Sequence, residues 1–262
     1  MIFRQLFDPE TASYSYLLGD EVTREAVLID SVAEQFERDM SLIRELDLKL
    51  VFALETHVHA DHVTGAGQLR EKLGARVAVS RHSGVHNADV LLADGDWISV
   101  GTHRLEARAT PGHTSACMTF VTEGMAFTGD ALLIRGCGRT DFQDGDARTL
   151  FHSVRSRILT LPETTALFPA HDYRGRTQSS VAEELRFNPR LGADRTVESF
   201  IELMERLTLS YPKRMDEAIP ANLYAGLAPG ARPKPQAPSQ VAEVMRELGR
   251  QDAGDNWLGA GI

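Results

Sequence analysis

Seven residues constrain this chain more than any others: Thr56-His57-Val58-His59-Ala60-Asp61-His62. Leu48-Lys49-Leu50-Val51-Phe52-Ala53-Leu54, an apolar segment of strand length, runs into them. Gly65-Ala66-Gly67 and the short helical pattern Gln68–Leu73, closed by Gly74, follow. The cluster therefore sits on a loop leaving the end of a buried strand, where a rigid element can hold several ligands in fixed geometry. Residues i and i+2 of an extended segment point the same way, so His57 and His59 can face one centre. Asp61 and His62, past the turn, can face a second centre or support the first. Neutral imidazole and carboxylate are ligands for first-row transition metals. Such a run restricts the fold to one that brings more ligands to the same strand edge.

Three further places fit that description. Thr110-Pro111-Gly112-His113 breaks a strand and puts His113 on a turn. Met125-Ala126-Phe127-Thr128 ends in Gly129-Asp130, which taken alone reads as an ordinary turn. Thr165-Ala166-Leu167-Phe168-Pro169 ends in Ala170-His171-Asp172-Tyr173. By contrast, His82 and His86 lie in a polar stretch without periodicity and read as loop histidines.

Between these points the chain alternates strand and helix. Ile2–Leu6, Ser13–Leu18 and Glu25–Asp30 predict an antiparallel opening sheet. Asp30 or Ser31 is placed to cap a helix from about Ala33 to Leu46, with Phe36, Met40, Ile43 and Leu46 on its core face. Arg76–Ser80 is the next strand, and Trp97–Val100 with His103–Ala109 reads as a hairpin. Cys117–Val121 pairs with Met125–Thr128 around Glu123-Gly124. A glycine-rich loop leads into a helix over about Asp146–Leu159, and another helix is expected near Val197–Leu207. Ala228–Pro238 reads as a linker or wrapped arm, and Gln240–Arg250 as one short helix. The pattern is that of an α/β layer structure with helices covering sheets.

The bulk numbers narrow the function. The 262 residues suffice for one large domain with a small appendage. A net charge of −9 argues against a general nucleic-acid binder. The two cysteines, Cys117 and Cys137, form neither a disulfide framework nor a zinc pattern and fit a reducing compartment. Met1–Asp8 lacks the apolar region of a signal peptide, and no apolar run approaches the roughly 20 residues of a membrane span. The expected location is the cytoplasm, with no nucleic-acid or membrane partner.

The ordered set His57-x-His59-x-Asp61-His62, His113, Asp130 and His171 resembles the metallo-β-lactamase fold family. The resemblance implies an αββα sandwich with metal at one edge of two facing sheets. Within that family, Thr56–Gly65, Ile134-Arg135-Gly136-Cys137-Gly138-Arg139-Thr140-Asp141-Phe142-Gln143, Pro169–Tyr173 and Phe187-Asn188-Pro189-Arg190-Leu191 resemble the persulfide dioxygenases. The likeness runs from about Met1 to Gly226, including Ile219-Pro220-Ala221-Asn222. It makes residues 1–226 the catalytic domain and 227–262 an extension. It implies one Fe(II) per chain held by His57, His113 and Asp130, with His59, Asp61, His62, His171 and Tyr173 around it. Arg139, Tyr173 and Arg174 are then candidates to meet substrate, with a solvated or salt-bridged position as the alternative for the two arginines. The implied reaction oxidises glutathione persulfide with O2 to sulfite and glutathione, in a homodimer. The competing reading is a glyoxalase-II-like dinuclear zinc hydrolase of glutathione thioesters. That enzyme would fill a second site with Asp61, His62 and His171 and bridge the metals with Asp130. A non-enzymatic metal-binding regulator is the third reading. Cys137 reads as an inert buried thiol.

Overall fold

Alternation in the first thirty residues builds a meander. Strands β1 (Ile2–Asp8), β2 (Ser13–Gly19) and β3 (Glu25–Ile29) pair antiparallel, as the pattern predicts. The computed structural model, which describes residues 1–230, then adds β4 (Lys49–Leu54), β5 (Arg76–Ser80) and β6 (Val90–Leu92) in parallel. The result is a six-stranded sheet in chain order. A second six-stranded sheet holds β7 (Asp96–Val100), β8 (His103–Ala109), β9 (Met118–Thr122), β10 (Met125–Gly129), β11 (Ala166–Pro169) and β12 (Ser179–Ser180). Its one parallel pair is β10 with β11.

The sheets face each other across Tyr16, Leu18, Ile29, Phe52, Leu105, Phe120, Phe127 and Phe168. Helices α1 (Phe36–Glu45) and α2 (Ala66–Leu73) cover the outer face of the first sheet, burying Ile43 and Leu69 against Leu17, Leu28 and Val77. Helices α3 (Ala147–Ser153), α4 (Val181–Phe187) and α5 (Val197–Glu205) cover the second, burying Leu150, Val181 and Phe200 against Leu167. A last helix, α6 (Met215–Asn222), follows. This is the expected αββα sandwich.

Local chemistry explains most boundaries. Gly74 closes α2 in the left-handed conformation at φ 74°, where a Cβ would be strained. The Asp146 carboxylate accepts the Thr149 N–H and starts α3, which continues through a π turn over Val154–Ile158. Leu150, Val154 and Ile158 are all fully buried along it, as their spacing predicts. One expectation fails. Neither Asp30 nor Ser31 caps the helix after β3, which begins with a 3-10 turn over Ala33–Gln35 and has no side-chain cap. Asp30 turns inward instead and accepts hydrogen bonds from Thr56 N and Thr56 Oγ1 at 2.7 and 2.8 Å. Two unpaired groups next to a metal loop take the carboxylate that an exposed helix end would otherwise attract. Most of the tail expected from residue 227, including the short helix over Gln240–Arg250, lies outside the described residues.

Candidate metal centre

The four strand-end positions converge because of sheet order. Ile29 pairs with Leu54 in the parallel β3–β4 register, so Asp30 lies beside the loop that opens at Glu55. Gly129 pairs with Pro169 in β10–β11, so Asp130 and His171 emerge side by side. Met118 N donates to Thr56 O at 2.8 Å, which joins the two sheets at this edge. The strand ends together floor a cavity of about 580 Å³ that reaches His57, Asp61, His113, Asp130 and His171.

Three side chains place donor atoms within 4.8 Å of one another: His57, His113 and Asp130. The ring orientations follow from hydrogen bonding. His113 Nδ1 lies 2.7 Å from the Arg139 carbonyl, which can only accept, so Nδ1 carries the proton and Nε2 the lone pair. Thr56 Oγ1 spends its hydrogen on Asp30 Oδ2 and therefore accepts from His57 Nδ1 at 3.0 Å. That leaves the lone pair of His57 on Nε2. Burial, with His59 and His113 alongside, lowers the His57 pKa well below its ordinary value and keeps the ring neutral. Asp130 is held well below the usual carboxylate range: burial opposes ionisation, but the protonated His171 hydrogen-bonded to it outweighs burial. Two imidazole lone pairs and one carboxylate, each oriented by its own hydrogen bonds, fit a divalent transition metal with open coordination positions.

The other expected residues are present with distinct partners. His171 Nδ1 sits 2.7 Å from Asp130 Oδ1, and its Nε2 sits 3.0 Å from Asp61 Oδ2. Despite burial, these carboxylates raise the His171 pKa well above its ordinary value, so both ring nitrogens hold protons. Asp61 Oδ2 also meets His62 Nδ1 at 2.9 Å. His59 turns its Nε2 toward Asp30 Oδ1 at 3.3 Å and Glu55 Oε2 at 3.5 Å. His59, Asp61 and His62 form a second group of donors within 4.8 Å. The Tyr173 ring stacks on His171 with centroids 5.9 Å apart and is otherwise exposed in the cavity.

The arginines divide. Arg139 makes a two-pronged pair with Asp141 at 2.6 and 2.7 Å, donates to Ser210 O at 2.8 Å and lies over the Phe142 ring. Its donors are committed within the protein, the salt-bridged alternative of the sequence reading. Arg174 is exposed at the cavity, and its guanidinium has no partner among the described residues. Arg135 pairs with Glu183 and Glu184. His82 and His86 are exposed loop residues, as expected. Cys137 is buried, and burial pushes its thiol up to about 11, as expected of an inert thiol.

The glycine-rich block earns its composition by close approach. A Cβ on Gly138 would lie 2.5 Å from Asp130 O and 2.7 Å from His113 Nδ1. A Cβ on Gly129, at φ 53°, would lie 2.7 Å from Thr56 Oγ1. Asn188 reaches back to donate to Gly136 O, and Gln143 donates to Val58 O at the histidine loop. Asp30, Thr56, Glu55, Ser13 and Asn222 support the centre, and the sequence marks none of them as a site residue; Thr56 and Asn222 stand there only within quoted motifs.

Comparison with known proteins agrees with this geometry. The model of the metallo-beta-lactamase superfamily matches residues 8–171. The mitochondrial persulfide dioxygenase ETHE1 of Mus musculus is 53% identical over 230 residues, 87% of this chain and 89% of that protein. Its Homo sapiens counterpart is 52% identical over the same shares. The crystal structure of ETHE1 from Myxococcus xanthus superposes with a TM-score of 0.85 at 50% identity, covering 87% of this chain and all of that one. The chain that carries this partly buried two-histidine, one-carboxylate group at the edge of an αββα sandwich belongs to the metallo-β-lactamase superfamily and, within it, to the ETHE1 persulfide dioxygenases.

Proposed function

We propose that this protein is a persulfide dioxygenase that uses one Fe(II) per chain to oxidise glutathione persulfide with O2. The observation that carries the reading is the open-sided set of His57 Nε2, His113 Nε2 and Asp130, at the floor of a cavity of about 580 Å³. Relatives that are half identical over most of the chain carry the name of this activity. In the overall reaction the terminal sulfur of the persulfide loses four electrons to O2. Water supplies the third oxygen of sulfite, and glutathione leaves with two protons released. Bound Fe(II) would supply the redox chemistry that lets O2 and the sulfur react.

The chain's own residues bind, orient and hold protons. His57 and His113 present neutral lone pairs, and Asp130 contributes a negative charge. Arg174, exposed at the cavity with no guanidinium partner among the described residues, is placed to meet a carboxylate of the anionic substrate. Lys213, also exposed at the cavity, adds a second positive charge. His171, protonated between Asp130 and Asp61, keeps a proton beside the reacting centre, and Tyr173 covers it. Arg139 acts indirectly in this reading, by fixing the wall segment at Ser210.

The donor group His59, Asp61 and His62 favours the rival zinc thioesterase. Against it, His171 gives both ring nitrogens to carboxylates, which closes one ligand of the second site. Metal analysis of anaerobically purified protein, with O2 uptake on adding glutathione persulfide, separates the two. About one iron per chain with persulfide-dependent uptake is expected from the facial ligand set. About two zinc per chain, thioester hydrolysis and no uptake would overturn the proposal. The homodimer implied by the sequence resemblance belongs to the same proposal, and light scattering giving one chain per particle would remove it. Two free, buried cysteines support a reducing, cytoplasmic location. Among the described residues no helix is long and apolar enough to cross a membrane.

A further inference from the structure

The loop that carries His59, Asp61 and His62 is buried, so its backbone groups need partners. Three of them find one side chain, and it comes from the far end of the described chain. Asn222, at the end of α6, is 4% exposed. Its Nδ2 donates to His59 O and to His62 O, each at 2.9 Å. Its Oδ1 accepts the Thr64 N–H at 2.9 Å. Only a carboxamide offers two donors and an acceptor in one planar group of this size.

The turn after Asn222 is docked against the start of α2, the β5–β6 connection and Thr64 of the same loop. Gly67 N donates to Ala225 O, and His86 N donates to Leu223 O, both at 2.8 Å. Asn87 Nδ2 donates to Tyr224 O at 2.8 Å. A Cβ on Gly226, at φ 77°, would lie 1.9 Å from Thr64 O, so no side chain fits between turn and loop. The consequence reaches the metal ligands through ring contact. The His59 ring centroid is 4.0 Å from that of His57 and 4.3 Å from that of His62. A backbone held at His59 and His62 thereby holds the rings that pack, in turn, against the His57 ring.

We propose that Asn222 is a positioning residue for metal binding: it sets the backbone of the 59–64 loop before metal arrives, and affinity at His57, His113 and Asp130 depends on it. The proposal rests on the metal reading above. The two are separable, because the wild-type protein is titrated first. Failure of the wild type to bind Co(II) would sink the metal reading whatever Asn222 does.

The test is competition of apoprotein and a chelator for Co(II), followed by the visible absorption of the bound ion. Wild type is compared with Asn222→Ala, Asn222→Asp and Asn87→Ala, with the melting temperature of each apoprotein recorded. Asn222→Ala is expected to weaken Co(II) binding by about 10- to 100-fold, the usual cost of losing an outer support. Asn222→Asp keeps the acceptor for Thr64 N–H but turns a carboxylate on two carbonyls, so it should bind at least as weakly as the alanine variant. Asn87→Ala loosens the same turn without touching the loop and should lower the melting temperature while leaving affinity within about twofold, since it removes no outer support of a ligand. Wild-type affinity in either Asn222 variant, or an equal loss in Asn87→Ala, would overturn the proposal. Hydrogen exchange in the wild-type apoprotein gives a reading that needs no variant. The Thr64 amide should be protected without metal, and exchange at the rate of an open loop would overturn the proposal as surely.

Discussion

At His57 the tautomer is set by a hydroxyl with no spare hydrogen. Thr56 Oγ1 donates to Asp30 and so must accept from the ring. Thr56→Val keeps the shape and removes that acceptor. Metal affinity should fall about tenfold with little change in secondary structure, as expected for loss of an outer hydrogen bond; chelator competition and circular dichroism check both halves. His113→Ala removes a ligand outright and should abolish iron binding and O2 uptake together, so full iron occupancy in that variant would remove His113 from the centre. The two arginines should behave differently. Arg174→Ala should raise KM for glutathione persulfide by about tenfold at unchanged iron content, the loss of one charge-assisted contact. Arg139→Ala breaks the pair with Asp141 and the bond to Ser210 O, so its effect should include a lower melting temperature. Steady-state kinetics beside thermal melts distinguish them. The candidate side chains are legible in sequence because one run supplies four ligand-type groups and later strand ends repeat the type in order, although Asp130 alone reads as a turn. Their hydrogen-bonding partners are not, since a threonine or an asparagine in a sequence carries no sign of which distant atom it will meet.

The elements with strong periodicity were legible to within a few residues. Strand β5 occupies Arg76–Ser80 as expected, and the hairpins β7–β8 and β9–β10 form where the sequence placed them. What escaped were short elements whose pattern is too brief to read, β6 with three residues, β12 with two and α4 with seven, and also α6 with eight, which carries Pro220 inside it. The existence of the first three depends on packing against strands already in place. The glycine-rich block is an element in its own right, built by approach and not by hydrogen-bond periodicity. Gly138→Ala would drive a methyl into Asp130 O and His113 Nδ1, two atoms that cannot both retreat without moving metal ligands. Metal content should fall by about tenfold or more, as when the surroundings of a site displace its ligands. Elemental analysis of folded protein would decide this, and full occupancy would show that the loop can yield.

Over the whole molecule, stability responds to groups far from the centre. Asp39 on α1 is 1% exposed, and burial raises its carboxyl from 3.8 to about 6 against the opposing effect of Arg38. The folded protein binds this proton more tightly than the unfolded chain. Stability therefore falls as pH rises from about 4 to about 6, by on the order of 3 kcal/mol from this group. Asp39→Asn should raise the melting temperature at pH 7 to 8 and leave it nearly unchanged at pH 3.5; an equal shift at both pH values would show that the group is not perturbed. The sequence by itself determined the layers, through the 2-residue and 3.6-residue periods of its apolar positions, and which histidines and carboxylates stand at strand ends as candidate ligands. The tertiary structure alone decided which ring nitrogen faces the centre, that Arg139 is paired while the Arg174 guanidinium has no partner among the described residues, and that Asn222 closes on a loop 160 residues away. Periodicity is a local property that a chain displays before it folds. Tautomers, pairing and closure depend on atoms that become neighbours only when two sheets and their helices have packed.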